Sequence, residues 1–216
     1  MTICDFIMQY LVKKIVVGIF LACMLMWPEG GRAAETYVID PDHSSITFRI
    51  KHLGITFVYG IFPNAGGVYT FDDTDLENAS IWIKIKVADI DSGSQKRDRD
   101  LLGLDFFNEE KFPFVIFKSL SITASNDDQY TVMGELSLHG ETKKVTVLAV
   151  KTGLYQDPSG EVRSGFETRF SVKRSDYGMK YMTAVADKVE LTVSVEGVRV
   201  ENAIQLKYEA GCAGIE

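Results

Sequence analysis

The chain has 216 residues, 46% of them hydrophobic, with 30 acidic against 23 basic side chains and a formal net charge of −7. An acidic excess of this kind repels phosphate backbones and anionic lipid surfaces, which excludes nucleic acid as a partner class and leaves membrane contact transient at most. Its three cysteines, Cys4, Cys23 and Cys212, are too few and too scattered for a disulfide scaffold.

Residues 1–33 read as a signal peptide. Lys13 and Lys14 supply a positive region, and Ile15 to Trp27 then runs without a charge, too short for a membrane helix of about 20 residues. Gly31-Arg32-Ala33 has the small-x-small pattern that signal peptidases read, so cleavage near Ala33 and export are expected. Acylation at Cys23 and retention as an uncleaved anchor are the alternatives. Without this segment, which carries Lys13, Lys14, Arg32, Asp5 and Glu29, 20 basic and 28 acidic residues remain. Cys212 is then alone, so an intermolecular bridge, and with it a homodimer, stays open.

Residues 34–200 read as one all-β domain, long enough to bury its own core. Ile46 to Lys51, Ile81 to Val87, Tyr130 to Leu138, Phe166 to Val172 and Val189 to Glu196 alternate apolar and polar side chains, the period of half-buried strands. Turn-forming clusters separate them: Pro63 to Gly67, Asp72 to Asp75, Ser125 to Asp128, His139 to Glu141 and Gln156 to Gly160. Helical character is confined to 93–104, where the charged run Lys96 to Asp100 meets Leu101 and Leu102, and an irregular stretch covers 176–184. Residues 201–216 are expected to form a C-terminal tail. Strands at this spacing imply an extended antiparallel β-barrel of about eight strands with one or two short helices. One strand face is almost wholly apolar, and the other carries Arg49, Lys51, Lys84, Lys86, Glu135, Arg169, Lys188 and Glu190. Such a barrel is either filled by its own side chains or wide enough for one small ligand, and periodicity does not choose between the two.

No catalytic residue and no metal site are expected. Asp42-His43-Ser44 has the residue types of a hydrolytic triad, but neighbours on an extended segment face opposite ways, so His43 cannot orient Ser44. Anchoring of the following strand is the preferred role. His43, His52 and His139 are the only histidines, and neither C-x-x-C nor H-E-x-x-H spacing occurs. Asp73-x-Asp75-x-Glu77 begins like a calcium loop, yet Asn78 stands where the loop needs Gly and Lys84 where it needs Glu.

Several motifs in order resemble the YceI family: Asp40-Pro41-Asp42-His43-Ser44-Ser45, His52-Leu53-Gly54, Gly60-Ile61-Phe62, Lys96-Arg97-Asp98, Asp105-Phe106-Phe107, Phe112-Pro113, Phe117-Lys118-Ser119, Gly134-Glu135-Leu136 and Lys173 to Gly178. The likeness runs from Tyr37 to about Val198. That family is known as periplasmic, with a lipocalin-like barrel whose elongated apolar pocket binds polyisoprenoids or similar lipids. The resemblance implies a binding, carrier or sequestering protein for a long-chain apolar lipid, with no catalysis of its own and no other cofactor. An enzyme or redox accessory acting on an isoprenoid lipid such as a quinone is the alternative. Under this resemblance Phe48, Ile50, Val58, Phe62, Ile83, Ile85, Phe117, Phe166 and Phe170 are expected to line the pocket. Phe106, Phe107, Phe112, Phe114, Tyr177 and Met179 would line or cap its open end. His43, Arg97 and Arg174 are candidate head-group contacts, since a guanidinium matches phosphate oxygens bidentately, against an ordinary role in salt bridges to Asp98, Asp100 or Asp176. Asp100 departs from the family pattern, which has His at that place.

Overall fold

In a computed structural model of the protein the described residues are 34–181 and 183–200; the expected signal peptide and the tail with Cys212 lie outside them. Ten strands follow in order: β1 (Glu35–Ile39), β2 (Ser45–His52), β3 (Thr56–Phe62), β4 (Ala65–Phe71), β5 (Ser80–Lys86), β6 (Phe114–Asn126), β7 (Gln129–Leu138), β8 (Glu141–Gln156), β9 (Val162–Lys173) and β10 (Val185–Val200). The antiparallel ladder β1-β4-β5-β6-β7-β8-β9-β10 closes through β10–β1 into an eight-stranded barrel, and the β2–β3 hairpin extends it along β10.

Two of the barrel's paths are bent rather than continuous, which is how ten strands make eight staves. Along β10, Gly197 to Val200 pair with β1, while Val185 to Ser194 pair with β2. Between β1 and β2 the chain turns outward through a 3-10 turn at Pro41–His43, capped by the Asp40 carboxylate on the Asp42 amide at 3.0 Å. Ser44 re-seats the chain by donating its hydroxyl to the Glu196 carbonyl and accepting from the Glu196 amide at 3.0 Å. The expected anchoring role thus falls to Ser44 and to the Asp40 carboxylate rather than that of Asp42. The second bend is Pro63-Asn64, between β3 and β4, where proline ends the ladder.

The expected turn at Pro63 to Gly67 is shorter than its composition suggests. Ala65, Gly66 and Gly67 belong to β4 and are buried. Gly67 serves close approach, not turning: a Cβ there would collide with the Trp82 carbonyl oxygen and with Ile39 Cδ1. His139-Gly140, by contrast, is a two-residue hairpin with φ of 53° and 79°, the left-handed pair that a tight antiparallel connection needs.

The one α-helix among the described residues, α1 (Gln95–Leu102), has Ser94 as its N-cap and packs Leu101 and Leu102 onto the core. Asp98 bonds the Ser92 amide at 2.9 Å, tying the helix to the segment before it. That segment is held to β3 by paired backbone bonds between Ile61 and Asp91 at 2.8 and 2.9 Å. Helix α1 therefore covers the region where β3 diverges from β5. The irregular stretch that follows β9 opens with a 3-10 turn, Arg174–Tyr177, ended by Gly178 in the left-handed region.

Candidate functional site

The barrel encloses an apolar cavity of about 590 Å³. Strand parity decides its lining. On β2, Ile46, Phe48 and Ile50 point inward; on β5, Ile81, Ile83 and Ile85; on β9, Phe166, Phe170 and Val172; on β10, Val189, Leu191, Val193 and Val195. The apolar face of the alternation is thus the inner face, and it surrounds space rather than a fully packed core.

The two ends differ in chemistry. At one lie His52, Ser92, Ser94, Lys96, Arg97 and Asp100, together with Leu101, Phe106, Phe107, Met179 and Val185. This mouth is assembled from the end of β2, helix α1 and the loop between Tyr177 and β10. At the other end, Tyr69, Phe71, Tyr130 and Phe166 close the barrel. Polar lining is concentrated at the mouth.

Of the expected pocket residues, Phe48, Ile50, Val58, Phe62, Ile83, Ile85, Phe106, Phe107, Phe117, Phe166, Phe170 and Met179 line this cavity. Phe107 meets Phe62 edge-on at 6.0 Å and Phe106 meets Tyr181 at 5.7 Å. Three others are placed elsewhere. Phe114 starts β6 with the opposite parity to Val115 and Phe117, so it faces outward, under the Lys84 ammonium at 4.3 Å. Phe112 packs on the β7–β8 hairpin, its ring 5.0 Å from that of His139 and against Gly140. Tyr177 is 2% exposed but belongs to the packed core beside the cavity, and its carbonyl is 2.8 Å from His139 Nδ1.

The three head-group candidates also separate. Arg97 lines the mouth, half-buried, with Nε on the Ser92 hydroxyl at 2.8 Å and Nη2 on the Ser92 carbonyl. Among the described residues no carboxylate pairs with it, so the alternative salt bridge to Asp98 or Asp100 does not form; Asp98 bonds Ser92 instead. Arg174 lines the mouth too, but its guanidinium is engaged with backbone: Nε on Ala186, Nη1 on Met179 and Tyr181, and Nη2 on Val185, at 2.6 to 3.3 Å. It holds the mouth loop in place. His43 lies outside the cavity, exposed, with Nδ1 2.9 Å from Asp40 Oδ2 and 3.9 Å from Glu196 Oε1. The Asp40 hydrogen bond, reinforced by both carboxylates, raises its imidazole pKa above 6.5. Burial works against ionised Asp40, but bonds from His43, Arg163 and the Asp42 amide outweigh it and keep the carboxyl below its ordinary range.

Asp40, His43 and Glu196 are close enough together to resemble a metal site. Arg163 supplies the cation instead, its Nη1 at 2.9 Å from Asp40 and 2.5 Å from Glu196. The cluster pins the β1–β2 bend to β9 and β10.

Sequence reasoning missed the aromatic end of the cavity. Tyr69 and Phe71 alternate along β4, a signal obscured by assigning the strand's first residues to a turn. Tyr130 stood in a recognised strand but at its edge, where periodicity alone gives no reason to select it.

The profile of the YceI-like domain family matches residues 37–197. A UPF0312 protein of Yersinia pestis (strain Pestoides F) is 37% identical over 194 residues, 88% of this chain and 100% of that protein. Among solved structures, the YCEI protein of Campylobacter jejuni matches with a TM-score of 0.64 at 27% identity, covering 70% of this chain and 90% of that one. A polyisoprenoid binding domain from Saccharophagus degradans shares the fold, with a TM-score of 0.58 at 10% identity over 78% of this chain and 100% of that one.

Proposed function

Because the chain belongs to the YceI-like family, we propose that it is a binding or carrier protein that holds a polyisoprenoid or similar long-chain lipid inside its barrel and performs no chemistry on it. The observation that carries this reading is the cavity: about 590 Å³, mostly apolar along its length, with most of its polar lining at the mouth and Glu167 and Thr168 the exceptions on β9. A hydrocarbon tail gains about 25 cal/mol for each Å² of surface taken out of water, and such a lining offers it area without unsatisfied polar groups. The neighbour described as a polyisoprenoid binding domain supports the same ligand class.

Arg97 is the residue we assign to the lipid's polar end. Its guanidinium lines the mouth without a carboxylate partner among the described residues. The periplasm is the proposed compartment, supported by the positive, apolar and small-x-small succession from Lys13 to Ala33. Cell fractionation with the mass of the mature protein tests that assignment: a chain beginning at Ala34 in the periplasmic fraction supports it, and a chain found in the cytoplasmic fraction contradicts it.

Native mass spectrometry of protein purified without detergent tests the carrier reading. A co-purifying lipid released by organic solvent is the expected result. Protein that carries no lipid and takes up none from a mixture of polyprenols would overturn it.

A further inference from the structure

The closed end of the cavity has a construction of its own. Phe71 meets Tyr130 edge-on at 4.9 Å and Phe166 at 5.0 Å. Phe166 in turn meets Tyr69 at 5.6 Å and Tyr130 at 6.3 Å. Below them Tyr37 stacks on Tyr69 at 5.0 Å, with 10° between the ring planes. Such edge-to-face sets are favoured arrangements, and they fill cross-section that aliphatic side chains elsewhere in the barrel leave open.

Both cavity-lining tyrosines of this set are anchored. The Tyr69 hydroxyl donates to the Ser164 carbonyl at 2.9 Å, and the Tyr130 hydroxyl donates to Asp73, whose other oxygen takes Lys151 Nζ at 2.6 Å. Burial first, and then for Tyr130 the Asp73 carboxylate, push both phenols well above their ordinary range, so each stays a neutral donor. Tyr69, Phe71 and Tyr130 are nearly fully buried, whereas Phe166 is partly buried and lines the cavity. The rings form a floor, with Phe166 as its upper surface.

Strand register puts this floor and the polar mouth at opposite ends of the same staves. Tyr130 lies near the start of β7 and Leu138 at its end, and Phe166 precedes Val172 in the same direction along β9. A lipid with a polar head therefore fits in one direction, head at Arg97 and tail tip on Phe166.

We propose that this aromatic floor gauges the chain length of the bound lipid, an inference that rests on the carrier reading above. A tail too short to reach Phe166 leaves apolar lining unmatched. One too long pushes its last apolar unit out past Ser92 and Arg97 into water. Binding free energy then peaks at the length that spans mouth to floor.

Two variants move the floor in opposite directions. Phe166→Ala removes six ring carbons and makes room for about one more five-carbon isoprene unit. Ala149→Leu, directly across the ladder from Tyr130 and facing the cavity, raises the floor. Each protein is loaded with a mixture of polyprenols graded in length, and the retained distribution is read by native mass spectrometry. We expect the most-retained length to rise by one unit in Phe166→Ala and to fall in Ala149→Leu. Phe112→Ala, which removes a ring outside the cavity, should leave it unchanged. If the wild type and both floor variants retain the same distribution, the gauge is wrong while the carrier reading stands. A wild type that retains no polyprenol removes the carrier reading itself. If Phe166→Ala does not fold, Ala149→Leu decides alone, an unshifted peak refuting the gauge.

Discussion

Replacing Arg174 separates a structural cation from a ligand contact at the cavity mouth. The side chain is 8% exposed and its guanidinium reaches the carbonyls of Met179, Tyr181, Val185 and Ala186. Of these bonds the one to Met179 is buried and the rest are partly so. Losing a buried partner exposes the full desolvation penalty of the group left behind, about 1–3 kcal/mol, while carbonyls nearer the surface regain water and lose less. Arg174→Met is therefore expected to cost about 3–5 kcal/mol in total, which in a domain of this size lowers Tm by roughly 6–20 °C. Arg174→Lys keeps the charge but not the planar fork, so it should fall between the two. Thermal and urea unfolding measure the loss, and amide exchange should quicken in residues 179–186. If Arg174→Met melts with the wild type yet changes which lipid head groups are retained, the clamp is refuted and the head-group role reinstated.

Phe107→Ala should weaken lipid retention at least tenfold, about 1.4 kcal/mol, and change stability by less, because the ring lines the mouth and gives up one edge contact with Phe62. Equal losses in retention assays and unfolding would reject a role for Phe107 in holding lipid. His43→Gln probes the Asp40 cluster through pH. Since the folded-state pKa of His43 is raised, its contribution is fully present below the unfolded value near 6.5 and disappears as pH rises through the folded value. The difference in Tm between wild type and variant should be largest at about pH 5 and vanish in mildly alkaline solution; a constant difference would mean that imidazole charge plays no part.

Much of the barrel was legible because a half-buried strand must alternate. That constraint placed Ile46 to Lys51, Ile81 to Val87 and the later strands, and it identified the inner face correctly at Phe48, Ile83 and Phe170. It failed where the determining contact is distant in sequence. Gly66 and Gly67 look like turn residues, but Gly67 is small because Ile39 and the Trp82 backbone press against it. Phe114 shares its composition with Phe106 and Phe107, yet its position relative to Val115 sends it outward. Arg174 carries the charge expected of a head-group contact, and only the return of Met179, Tyr181, Val185 and Ala186 across it shows that carbonyls use that charge. His43 sits in a motif of catalytic residue types, and the partner that defines its role, Glu196, is 153 positions away.

Whether this apolar face fills itself or holds a ligand is decided by volume, and volume has consequences for stability. Cavities left by truncated core residues cost about 24 cal/mol per Å³, so a dry void of about 590 Å³ would cost on the order of 10 kcal/mol, comparable to the whole stability of a domain. Water is a poor filler, because it needs two to four polar partners and the middle of this cavity offers few. On the carrier reading a lipid tail would restore the missing contacts and bind only the folded barrel, so its binding free energy would add directly to folding stability. Protein stripped of lipid by denaturing extraction and refolded should therefore melt well below the same protein reloaded with polyprenol. At a hundredfold excess over Kd the gain is about 2.7 kcal/mol, or roughly 5–11 °C in a domain of this size. Reloading that leaves Tm unmoved, while mass spectrometry shows the polyprenol retained, would place the lipid on the surface and not in the barrel.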